Sequence, residues 1–396
     1  MWLQSRRTIA LAELLGLPQA AKALGSLESG ELASSTPEAS RLQQKAHAWE
    51  SICAIDRIIS MLCSLPMTTD KYSLPDRAIV DSLGKVNSQA YLYSLAGVAS
   101  RVLELEGSRC ISKPRSDLFD AVMRTDHELR SLASLPGKDW WDMKSSAQEF
   151  SIDTLLQFLH KYFTVRAHLQ LALAYDEHNE QYSFNFITCV KAAHELAIRY
   201  IPMRPSAPRG FFANWVTDMQ AFTAVVFLQL ASYRTSQTSR SETFLLEFDV
   251  KKIADLIDQV VKTMESFTSS SGGGFAQQAA SVIQSLKSLL QRPQSPEPEK
   301  ISVSLPLIGT IRISRRSYST ERAETGQNMP QQTVARTLSE GPLDEIHFFD
   351  TGAGIASESV PHTSDAMEFM DSISYSMEFP ENYPFLADDN LSEWME

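Results

Sequence analysis

A row of apolar residues at helical spacing constrains this chain more than any other feature. Phe212, Trp215, Met219, Phe222, Val226, Leu230 and Tyr233 follow one another at steps of three or four residues, the period of one helix face and not the alternation a strand needs. A row that long must face a core. Leu155, Leu159, Tyr162, Leu169 and Leu173 form a second row, and Ile253, Leu256, Val260, Met264 and Phe267 a third. Breaks are expected at Pro136-Gly137, Pro202 to Gly210 and Gly272 to Gly274. Long helices joined by short connections predict an all-α, multi-helix bundle over residues 1–291.

The bundle is expected to end where Arg292-Pro-Gln-Ser-Pro-Glu-Pro-Glu299 concentrates proline and polar residues. Residues 292–340 read as a Pro/Ser-rich, locally basic linker. Within it, Ile301, Val303, Leu305, Ile311 and Ile313 alternate as a hairpin or docking segment would. The formal net charge is −12, and residues 341–396 hold 13 Asp/Glu with no Lys or Arg. That one segment accounts for the imbalance, and the rest of the chain is near neutral. A surface of this charge is a poor match for nucleic-acid phosphates, so no direct DNA contact is expected of this chain. No apolar run approaches the ~20 residues a membrane helix requires. Cys53, Cys63, Cys110 and Cys189 lie too far apart for a zinc site and read as thiols in a reducing compartment.

Residues 43–66, QQKAHAWESICAIDRIISMLCSLP, carry apolar side chains on two helical rows at once. Trp49, Ile52, Cys53, Ile59 and Cys63 form one; Ile55, Ile58, Leu62 and Leu65 form the other. A helix apolar nearly all round is a buried helix. Asp56 falls on the first row, and its neighbour Arg57 cannot face it on a helix. Each therefore needs a partner elsewhere in the fold, because an unpaired buried charge costs about 3–5 kcal/mol.

With Trp49, Asp56, Arg57, Ser60 and Pro66 at these places, the segment resembles the middle homology region of fungal zinc-cluster transcription factors. That region is marked by a Trp, then Leu-Asp-Arg, a Ser, and Gly-Arg-Pro. Ile9-Ala-Leu-Ala-Glu-Leu-Leu-Gly-Leu17 and Tyr72-Ser-Leu-Pro75 are similar to two further stretches of the family. Ser64-Leu65 stands in place of Gly-Arg, and the six-cysteine DNA-binding module is absent. The resemblance implies a regulator of transcription in a fungal nucleus, controlling a metabolic or biosynthetic gene set. It also implies DNA contact through a missing module or a DNA-binding partner, and a homodimer is the other partnership expected. Zinc is expected only with that module; no cofactor, metal or catalytic residue is expected here.

Between residues 341 and 396 the acids are interleaved with aromatics, among them Phe348, Phe349, Phe369, Phe379, Phe385 and Trp394. Acidic-hydrophobic alternation is the composition of a largely disordered activation segment, whose mutually repelling carboxylates keep the aromatics free to dock on transcriptional coactivators. Leu11-Ala-Glu-Leu-Leu15 matches a pattern that amphipathic helices insert into coactivator grooves, though core helices often carry it too. Other readings are a non-activating partner or repressor, and a small-molecule-sensing module. Neither a Walker loop nor Gly-x-Ser-x-Gly nor H-E-x-x-H occurs, and Asp176, Glu177, His178 and Glu180 read as a solvated turn. An enzyme is not expected.

Overall fold

The computed structural model describes residues 2–27, 37–107, 115–142, 150–175, 182–208, 214–237, 249–267, 274–291, 299–305 and 309–315. The chain divides into two compact units, Met1–Ile283 and Gln284–Glu396. The described helices are α1 (Trp2–Leu14), α2 (Leu17–Leu27), α3 (Pro37–Cys63), α4 (Ser88–Gly107), α5 (Arg115–Ser134), α6 (Lys138–Trp141), α7 (Ile152–Leu173), α8 (Ser183–Ser206), α9 (Asn214–Gln237), α10 (Val250–Glu265) and α11 (Gly274–Gln291). Within the first unit α1 and α2 lie on α3, α3 on α4, α4 on α5 and α7, and α7 on α8. From there α8 meets α9, and α10 packs on both. The fold is the expected all-α bundle. In the second unit β1 (Glu299–Leu305) and β2 (Gly309–Arg315) form an antiparallel hairpin. Its register sets Ile301 opposite Ile313 and Val303 opposite Ile311, so the apolar alternation of the two segments is in phase.

Local chemistry starts several helices. Ser151 caps α7 by accepting the Thr154 amide, and Asp249 caps α10 by accepting that of Lys251. Asn87 does the same for Gln89 and Ala90 at the head of α4, satisfying amides that have no partner in the first turn. Ser88 and Asp153 then join the heads of α4 and α7, Oγ to Oδ1, at 2.7 Å.

The break expected over Pro202 to Gly210 opens after Ser206, since Pro202 and Pro205 both lie inside the last turns of α8. Tyr200 and Arg204 grip Asp218 of α9 there, at 2.6 and 2.7 Å, so tertiary packing carries the helix past residues that would break it alone. On α9, every residue from Gln220 to Ala231 is buried; the single row read from the sequence understates a helix enclosed on all sides. The third row is buried at Ile253, Leu256, Val260 and Met264, while Phe267, its last member, lies past the end of α10 and is half-buried.

Helix α3 ends in a double hydrogen-bonded stop: the Leu65 amide donates to the Ser60 carbonyl at 2.8 Å and that of Ser64 to Met61 at 3.2 Å. Ser64 adopts φ 50°, and it alone among the described non-glycine residues has a positive φ. This is the position at which the resembled motif has glycine, the residue that enters this region without steric cost. Ser64 compensates by accepting a hydrogen bond from Arg166 at 3.0 Å. Replacing Ser64 with Gly should relieve about 1 kcal/mol of backbone strain and forfeit about as much hydrogen bonding. Urea unfolding should therefore show a near-neutral S64G and an S64A destabilised by about 1 kcal/mol; equal effects of the two would contradict the strain assignment.

Candidate functional site

The Asp56 carboxylate lies at the junction of α1, α3 and the loop after α3. It is fully buried, and both oxygens are occupied. Oδ1 accepts from Arg6 Nη1 of α1 at 3.0 Å. Oδ2 accepts the backbone amides of Thr68 and Thr69 at 3.1 and 3.0 Å and the Thr69 hydroxyl at 2.8 Å. The other Arg6 nitrogen, Nη2, donates to Ser60 Oγ at 3.3 Å and to the Pro66 carbonyl. Arg57 turns the other way and donates to the carbonyls of Thr69 and Tyr72. Each charge of the Asp-Arg pair thus meets a distant partner, as the helix geometry requires.

Beside this polar knot, Ile9, Ala12, Trp49 and Cys53 form a small core, with Leu17, Ile52, Tyr72 and Leu74 packed on it. Trp49 and Tyr72 meet edge to face at 4.9 Å, and the Tyr72 hydroxyl reaches Glu13 at 3.4 Å. Burial lowers the Arg57 pKa, an effect opposed by Cys53, Asp70 and Asp56. Burial likewise pushes the Cys53 thiol up to about 12, so it is an unreactive thiol and not a nucleophile. The arrangement holds three segments in register. All of Trp49, Asp56, Arg57, Ser60 and Pro66 belong to it; sequence reasoning left out Arg6, Thr68 and Thr69.

Three further buried polar groups were not singled out from the sequence. In the first, His168 Nε2 meets Asp126 at 3.0 Å and His168 Nδ1 meets Asn185 at 3.0 Å. Both ring nitrogens are engaged and His168 is fully buried, so neither is available to take a proton from a substrate. Burial would raise the Asp126 carboxyl, but the bond from His168, its charge and Arg130 hold it below its ordinary pKa. The second is the Asp218 cluster, where burial raises the carboxyl against the opposing pull of Arg204 and Tyr200. The third pairs Tyr91 with His160 Nδ1 at 2.9 Å beneath Trp141, whose ring lies 5.2 Å from the imidazole. Burial, then the charges of Lys161 and Arg199, depress the His160 pKa to about 3.

Among the described residues no group of His, Cys, Asp or Glu could hold a metal ion, and no helix is long and apolar enough to cross a membrane. An open groove of about 580 Å³ runs along α5 past Phe119, Met123 and His127. Cys110, the Asp176 to Glu180 cluster, Phe348, Phe349, Phe369, Phe379, Phe385 and Trp394 lie outside the described residues.

The chain is similar to three curated fungal regulators. It is 24% identical over 249 residues to the transcription factor sdnS of Sordaria araneosa, covering 60% of this chain and 30% of that protein. It is 25% identical over 354 residues to a dehydrocurvularin biosynthesis regulator of Aspergillus terreus, covering 81% and 45%. A regulator of the same name from Alternaria cinerariae is 20% identical over 402 residues, covering 91% and 50%. The chain therefore spans from under a third to half of the length of these relatives. No family model matches the chain, and no solved structure does.

Two measurements test the site. Asp56→Ala should cost about 3–5 kcal/mol, because it strands Arg6 without its counter-charge. In a double-mutant cycle with Arg6→Ala the two losses should fall well short of adding, whereas additive losses would show that the contact carries no coupling. His160 has a native pKa below its unfolded value of 6.5, so its contribution is present above pH 6.5 and lost as pH falls toward 3. Between pH 6.5 and 4.5 the stability of His160→Gln should consequently fall less steeply than that of the parent, by up to about 1.4 kcal/mol per pH unit. Parallel slopes would contradict a buried neutral imidazole.

Proposed function

We propose that this chain is the effector part of a regulator of transcription serving a fungal biosynthetic gene set in the nucleus. Support comes first from the three relatives, named as a transcription factor and two biosynthesis regulators. The observation that carries the reading onto this chain is the knot around Asp56, which gathers Trp49, Asp56, Arg57, Ser60 and Pro66, the residues of the motif resemblance, into one site. A site whose carboxylate and guanidinium groups are turned onto internal partners acts by fixing shape. On this reading residues 1–291 are the helical regulatory domain and 292–340 connect it to the output segment. Residues 341–396 supply that output by presenting aromatics on an acidic chain to coactivators. Contact with DNA is made by a six-cysteine module outside this sequence or by a DNA-binding partner.

The test is a reporter driven by the full chain fused to a heterologous DNA-binding domain. Removing 341–396 should drop the output to that of the DNA-binding domain alone. Exchanging Phe348, Phe349, Phe369, Phe379, Phe385 and Trp394 for Ala should do nearly the same with every acid left in place. Undiminished output from either variant would sink the activation role and favour a partner or repressor.

A further inference from the structure

The contact face of α1 is accounted for by Ile9, Ala12 and Arg6; its opposite face is not. Leu3, Leu11, Leu14 and Leu15 are 62, 57, 86 and 60% exposed. On a helix, Leu3, Arg7, Leu11 and Leu14 follow at steps of four, four and three, one row along the solvent side. The three leucines of the Leu11-Ala-Glu-Leu-Leu15 motif are thus all outward, whereas a core helix would have turned them in. Arg7, within the row, has no hydrogen-bond or ion-pair partner among the described residues. Its neighbour Arg6 is spent on Asp56, and Glu13, on the flank, is met by Tyr72 and Lys71.

We infer that this face of α1 is a docking helix for a folded partner that offers an apolar groove with a carboxylate placed opposite Arg7. Three arguments select that occupant. The row is convex, with leucines standing clear of the bundle, so the concavity must come from the other side. It contains a cation and no acid, so charge complementarity demands an acidic rim. Two copies face to face would bring one Arg7 toward the other with no carboxylate in the row to relieve them. A single peptide segment, such as this chain's own 341–396, matches the charge but supplies no groove. The inference stands on α1 alone, whether or not 341–396 activates transcription.

The experiment is photo-crosslinking of the full chain in fungal nuclei, with a benzophenone amino acid in place of Leu14 and, as control, in place of the 90% exposed Leu83. The expected result is a discrete adduct with a different protein from position 14 and none from position 83. Arg7→Glu should weaken that adduct about ten-fold or more, and Arg7→Lys should keep it, at equal melting temperature. An adduct between two copies, an internal crosslink to 341–396, an adduct indifferent to Arg7→Glu, or no adduct would each overturn the proposal.

Discussion

One buried carboxylate organises the N-terminal third of the bundle. Asp56 lies in the middle of an apolar helix, where an unpaired charge would be prohibitive. Its cost is offset by three sources at once: a guanidinium from α1, two backbone amides from the loop after α3, and a threonine hydroxyl. None is close in sequence, so the carboxylate is satisfied only when α1, α3 and the loop are all in place. Polar groups with that property specify one arrangement more than they add stability. Arg57 acts in the same sense from the next position, tying the loop carbonyls of Thr69 and Tyr72 to the helix.

The same logic recurs deeper in the bundle. Asp218 fastens α8 to α9 through Tyr200 and Arg204, and His168 joins α5, α7 and α8 through Asp126 and Asn185. In each cluster the charged and ring groups are engaged with partners from neighbouring helices. A protein built this way directs its polar residues inward, to hold helices in register, and leaves recognition to its surfaces. The outward leucine row of α1 is one such surface, and it is positioned by Arg6 and Ile9 on the other side of the same helix.

Much of the architecture was legible in the sequence. Ile253, Leu256, Val260 and Met264 carry a clean period, because α10 buries one face only. The requirement that Asp56 and Arg57 find separate partners follows from helix geometry, and it holds. The partners' identities did not follow: Arg6 is 50 residues from Asp56, and periodicity contains no information about which distant segments meet. His168, Asp126 and Asn185 were invisible for the same reason. On α9, Gln220, Thr223 and Gln229 disguised a stretch buried on every side, Gln220 to Ala231, as part of an amphipathic helix. Within the break expected over Pro202 to Gly210, local propensity could not register that the grip of Asp218 carries α8 on to Ser206.

The central claim is that Asp56 holds α1 and the post-α3 loop to α3 as one cooperative unit, and hydrogen exchange on Asp56→Asn tests it most directly. The amides of Thr68 and Thr69 and those of α1 should lose protection together, while α7, α8 and α9 retain theirs. Protection that persists in α1, or that is lost in α1 and the loop independently, would contradict the account.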